Sequence, residues 1–143
     1  MTRPLGPTLV HASCVALQDR GVLIVGPSGA GKSALALQLM AFGADLVSDD
    51  QTEIWTEGDS LCARPVAAIA GMIESRGVGI LRAPGRDRAD IALVVDLGQS
   101  ETDRLPPRRH VTLLGLQRPL VLAVSHSHFP ASILCYLKGS RFA

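Results

Sequence analysis

The chain has 143 residues, 47% of them apolar, 19% charged and 3% aromatic, with a formal net charge of +1. This describes one folded domain, 1–143, whose core is built from Leu, Val, Ile and Ala rather than from aromatic residues. Near-neutral charge without a basic block argues against a nucleic-acid surface, and no apolar run reaches the ~20 residues of a membrane span.

In chain order, residues 8–18 (Thr-Leu-Val-His-Ala-Ser-Cys-Val-Ala-Leu-Gln) read as a first strand, and Asp19-Arg20-Gly21 turns the chain into a second, Gly21–Val25. Residues 26–33 then read Gly-Pro-Ser-Gly-Ala-Gly-Lys-Ser, and an apolar helix runs through Met40 to a stop at Gly43. Ala44–Ser48 is a short strand ending at Asp49-Asp50. Thr52–Thr56 and Ser60–Ala63 form a hairpin about Glu57-Gly58-Asp59. Val66–Ile73 is helix-compatible, and the glycine-punctuated Glu74–Ile80 runs into a strand. Ile91–Leu97 is a buried strand, Gln99–His110 a charged, proline-broken loop, Val111–Leu116 and Leu120–Val124 are strands, and Ala131–Leu137 is a terminal helix. Many strands, some joined by hairpins, predict an α/β P-loop nucleotide-binding fold with a mixed central sheet.

The segment between the second strand and the helix carries the chemistry. Gly26, Pro27, Ser28, Gly29, Ala30, Gly31, Lys32 and Ser33 fill every fixed position of a phosphate-binding loop. Glycines let successive backbone N–H groups turn toward anionic oxygens, and the helix N-terminus adds a favourable dipole. Lys32 reaches β- and γ-phosphates, and the Ser33 hydroxyl can ligate magnesium. A nucleoside triphosphate is the expected ligand.

Phosphoryl transfer needs more acids than the loop contains. Asp96 ends an apolar strand, as the second P-loop motif does, but a strand-end cap explains it equally. Asp49 and Asp50 lie 17 and 18 residues after Lys32 at the strand exit where α/β proteins bind ligands. Either could act as base, and an Asp-Asp turn is the plainer alternative. Glu74 and Arg76 could ligate magnesium and clamp phosphate, or be a solvated loop. His126 and His128 share a strand face, as a metal pair or an ordinary polar edge. Cys14, Cys62 and Cys135 are odd in number and share no ligand spacing, so they read as small hydrophobes of a reducing compartment. With no signal-peptide pattern at the N-terminus, the cytoplasm is expected.

The order of these pieces resembles the catalytic domain of bacterial HPr kinase/phosphorylase. The resemblance rests on the loop at 26–33, on His11 placed 21 residues before Lys32, on Leu46-Val47-Ser48-Asp49-Asp50, on Met72 to Ile80, and on Asp103-Arg104-Leu105. It spans residues 8–105. It implies transfer of the γ-phosphoryl of ATP to a serine of HPr or an HPr-like phosphocarrier, with magnesium held by Ser33 and Glu74. His11, alone a buried strand histidine, becomes a group that positions an aspartate. Lys32 and Arg104 offset charge, and the same centre runs in reverse by phosphorolysis. A homo-oligomer is expected. So few residues precede the first strand that a short form without the family's N-terminal domain is expected, of the α-proteobacterial kind. The family's C-terminal pattern is not recognisable in Gln117–His128, which leaves room for a kinase of a small metabolite or a nucleotide-sensing module.

Overall fold

The computed structural model describes residues 5–143. Strands β1 (Thr8–Val10), β2 (Ala12–Leu17) and β3 (Arg20–Val25) lead into helix α1 (Lys32–Ala41). Then come β4 (Asp45–Ser48), β5 (Thr52–Glu57), β6 (Ser60–Pro65), β7 (Met72–Ser75), β8 (Gly79–Arg82) and β9 (Ala89–Ser100). Strands β10 (Arg109–Leu113) and β11 (Leu116–Ala123) and helix α2 (Phe129–Gly139) complete the chain.

The main sheet has the order β1-β5-β6-β9-β3-β2-β4, with β11 also paired to β9 and β10 to β11. Strands β3, β9 and β11 run parallel, and the other pairings are antiparallel. The mixed sheet expected from the sequence is therefore present. Strand β1 forms one edge and β2 lies near the other, yet only His11 separates them in the chain. The sheet must curl for one chain to serve both sides, and His11 sits at that seam.

Alternation along the strands divides the apolar residues between two faces. Ala12, Cys14, Ala16, Leu23, Ile54 and Leu61 pack together on the concave side. Val15, Val22, Ile24, Leu93 and Val95 face the helices, where Leu35 and Leu39 of α1 meet Ile133 and Leu137 of α2. Strand β9 changes face at a bulge: Gly21 pairs with Ile91 but Val22 with Leu93, leaving Ala92 extra. That one residue sends Ile91 to the concave core and Leu93 to the helical one.

Several elements depart from the sequence reading: the last two strands pair about a turn at 114–115 rather than at 117–119, and His126 and His128 lie beyond β11 rather than on a strand face. The strand expected over 8–18 breaks at His11 and ends before Gln18, whose φ of 55° makes the turn. The helical reading of Val66–Ile73 gives way to one 3₁₀ turn, Ala67–Ile69, with no buried residue. A helix that short has no face to bury, whereas Ile73 reaches the core from a strand and is 1% exposed. Strand β9 continues to Ser100 into the expected loop, because β11 runs beside it and pairs Ala123 with Ser100. No helix among the described residues is long and apolar enough to cross a membrane.

Candidate active site

Strand β3 delivers Gly26 at its carboxyl end, and residues 26–31 wrap into α1. Gly29 and Gly31 have φ of 83° and 99°, a region that side chains with Cβ rarely enter, so these glycines make the wrap possible. No side chain caps α1 and no acid lies in its first turn, so its leading N–H groups point at the loop mouth as an anion site. Lys32 is 6% exposed, and its ammonium donates to the carbonyl oxygens of Gly26 (2.9 Å) and Pro27 (3.1 Å). The loop thus holds its own cation across its opening.

Strand β4 lies beside β2 and ends at Ser48, which brings Asp49 against the start of α1. The Asp49 carboxylate is buried and fully engaged. Oδ1 accepts from Ser33 Oγ at 2.6 Å and from Ser13 Oγ at 3.0 Å, and Oδ2 accepts from the Glu74 amide at 3.0 Å. The Ser13 hydroxyl also accepts the Asp50 N–H at 3.0 Å, so one buried hydroxyl sets both consecutive aspartates.

Asp50 is turned the other way. Its φ is 65°, which costs a non-glycine residue and is a conformation found at functional sites. The turn leaves its side chain 59% exposed, with Oδ1 2.7 Å from His11 Nε2. With the carboxylate as acceptor, the imidazole is the donor. His11 is itself 47% exposed at the seam between β1 and β2, not the buried strand histidine that its sequence context suggests. The break in the strand is what frees its side chain.

A cleft of about 530 Å³ opens above these groups, lined among others by Ser28, Lys32, Ser33, Asp50, Glu74 and Arg76. Glu74 and Arg76 arrive on the β7–β8 hairpin, whose strands pair Glu74 with Ile80. Asp49 ties that hairpin to the loop through the Glu74 amide. The donor set facing the cleft is hard oxygen: the Ser33 hydroxyl and the Glu74 carboxylate, with Asp49 behind Ser33. Among the described residues no three His, Cys, Asp or Glu converge on a closed metal cage. The Ser33 hydroxyl and Glu74 carboxylate are donors of the kind magnesium takes, one or two protein oxygens with phosphate and water completing its shell.

Other candidates lie elsewhere. Arg104 lines a second cleft with Arg141, His126 and His128, and the cations lining the phosphate-loop cleft are Lys32 and Arg76. Asp96 accepts from the Gly98 amide (2.8 Å) and Gln99 Nε2 (3.0 Å), both within β9, so its carboxylate is engaged locally in its own strand, which runs on to Ser100. His126 and His128 stack with ring centroids 5.3 Å apart. Beside them Glu101 receives both Arg109 nitrogens at 3.0 Å, and that guanidinium holds its carboxyl below the usual range. Sequence reading missed Ser13. Its signal was a polar residue within an otherwise apolar strand, two positions after His11.

The model of a family described as "HPr Serine kinase C-terminal domain" matches residues 5–117. "HPr kinase/phosphorylase 1" of Oceanobacillus iheyensis is 32% identical over 144 residues, covering 95% of this chain and 44% of that protein. The HPr kinase/phosphorylase of Geobacillus kaustophilus is 37% identical over 122 residues, covering 80% of this chain and 38% of its own length. The chain thus spans less than half the length of these relatives. The solved structure of the Hpr(Ser) kinase/phosphatase from Coxiella burnetii superposes with a TM-score of 0.76 at 23% identity, covering 92% of this chain and 94% of that one. That likeness establishes the fold, the α/β fold of the kinase's catalytic domain. The family match over residues 5–117, together with these relatives, shows that the chain belongs to the HPr serine kinase C-terminal domain family.

Proposed function

We propose that this chain transfers the γ-phosphoryl group of ATP to a serine hydroxyl of HPr or an HPr-like phosphocarrier, with magnesium. The observation that carries this reading is the hydrogen-bonded chain Ser33–Asp49–Ser13–Asp50–His11. It links the loop's hydroxyl to an exposed carboxylate backed by an imidazole.

The roles follow from what each group has free. Asp49 spends both oxygens on three donors, so it orients Ser33 and the Glu74 hairpin and is not the base. Asp50 faces the cleft with an accessible carboxylate, takes the proton of the attacking serine hydroxyl, and is held by His11. The loop N–H groups, Lys32 and Arg76 offset charge gathering on the transferred phosphoryl. Ser33 and Glu74 would hold magnesium, which would supply charge screening for the phosphates. We assign Arg104, on the segment between β9 and β10, as a further cation that offsets phosphoryl charge. Arg104→Ala then lowers turnover without changing ATP affinity. Phosphorolysis of the phosphoserine at the same centre, assembly as a homo-oligomer and action in the cytoplasm belong to the same proposal.

Incubation with ATP labelled at the γ position and purified HPr tests it: label on an HPr serine, dependent on magnesium, is expected. Absence of serine labelling at every magnesium concentration overturns the reading.

A further inference from the structure

The loop and its aspartate network account for the phosphate end of a nucleotide, and its base must lie beyond them. In α/β sheets ligands sit outside the carboxyl ends of parallel strands. Here the parallel set is β3, β9 and β11. Metal and base functions gather on the β2–β4 side of β3, so the free direction runs over β9 and β11.

A cleft of about 240 Å³ occupies that position. Gly31, Ala34 and Gln38 form one side, Leu97 of β9 the floor, and residues 124–130 after β11 the other side. It meets the phosphate-loop cleft at Gly31 and Ala34, which border both. Its volume is below that of a whole-ligand site, which suits one heterocycle rather than a complete nucleotide.

The lining chemistry narrows the occupant. Leu97, Phe129 and Pro130 are apolar, Gln38, Ser125 and Ser127 are neutral hydrogen-bonding groups, and the remaining ring is exposed His126, stacked on His128. Among the described residues no Asp, Glu, Lys or Arg lines it, so it does not have the lining of a second anion site. It also lacks a carboxylate to accept the N1–H and 2-amino group of guanine. A carboxamide presents one donor and one acceptor, the pattern of the N6/N7 edge of adenine.

We propose that this cleft is the nucleobase subsite and takes adenine, with the His126 ring against the base and the Gln38 amide at its edge. The proposal rests on the ATP reading above and adds residues 124–130, which lie beyond the stretch matched by the family model.

Binding of ATP, GTP and inorganic tripolyphosphate to the full chain tests it, in the wild type and in His126→Ala, Gln38→Ala and Ser125→Trp. All three positions are exposed, so the fold tolerates the changes. Loss of a stacking partner weakens ATP about tenfold. Tripolyphosphate affinity stays unchanged, Ser125→Trp brings ATP down to the tripolyphosphate level, and wild type prefers ATP to GTP. If wild type binds tripolyphosphate as tightly as ATP, or if the variants leave ATP binding intact or reduce both ligands equally, the subsite is overturned while the phosphate-loop reading stands. If wild type binds neither ligand, both fall.

Discussion

The Ser33 hydroxyl donates to Asp49 Oδ1 at 2.6 Å, although Asp49 lies sixteen residues further along the chain, just past the end of β4. The contact locks the start of α1 to the end of β4. It also divides the labour of two adjacent aspartates: Asp49 is consumed in holding the loop, and Asp50 is left to face the cleft.

Asparagine at each position separates the two roles. Asp49→Asn removes a charged acceptor from Ser33, an interaction worth about 1.5–3 kcal/mol, and abolishes the magnesium dependence of ATP binding. Asp50→Asn keeps ATP affinity and lowers turnover by about 10²–10⁴-fold, the usual contribution of a general base. ATP titrations with and without magnesium, set beside phosphotransfer rates, distinguish them. Full activity in both variants contradicts the assignment.

His11 touches only the exposed side of this network, 2.7 Å from Asp50. His11→Ala therefore lowers kcat while leaving KM for ATP near wild type. A rise in KM alone, in steady-state kinetics, rules out a positioning role through Asp50.

Leu39 is 0% exposed between α1 and the sheet, whereas Gln38 beside it faces solvent. Leu39→Ala costs about 2–5 kcal/mol through lost transfer energy and the cavity left behind, while Gln38→Ala stays within about 0.5 kcal/mol. Urea unfolding measures both.

Burial pushes the Cys14 thiol from 9.0 up to about 12. A pKa raised in the folded state contributes stability that is complete below the unfolded value and lost above it. Unfolding free energy should hold up to pH 9 and decline between pH 9 and 12, less steeply in Cys14→Ala. In native protein a thiol reagent modifies exposed Cys135 first and Cys14 only on unfolding. Equal labelling of the two shows that the strand opens.

Much of the site was legible because it is local. Gly26 to Ser33 form a contiguous binding element, and the β5–β6 hairpin carries its turn in Glu57-Gly58-Asp59. The assignment between Asp49 and Asp50 was not legible, since spacing leaves both at one strand exit. It depends on Ser13, more than thirty residues upstream, and on a φ of 65° at Asp50. Arg104 reads from its neighbours as part of the site, yet the fold lays it along a different cleft.

By itself the sequence determined that a phosphate-binding loop lies between a strand and a helix in a mixed α/β domain, because those signals reside in consecutive residues and short-period patterning. Only the tertiary structure decided which carboxylate is engaged and which is free, that His11 leaves the strand at a seam, and that residues after β11 flank the loop. Each depends on pairing between distant segments and on the curl of the sheet, where hydrogen-bond geometry rather than residue type assigns the role.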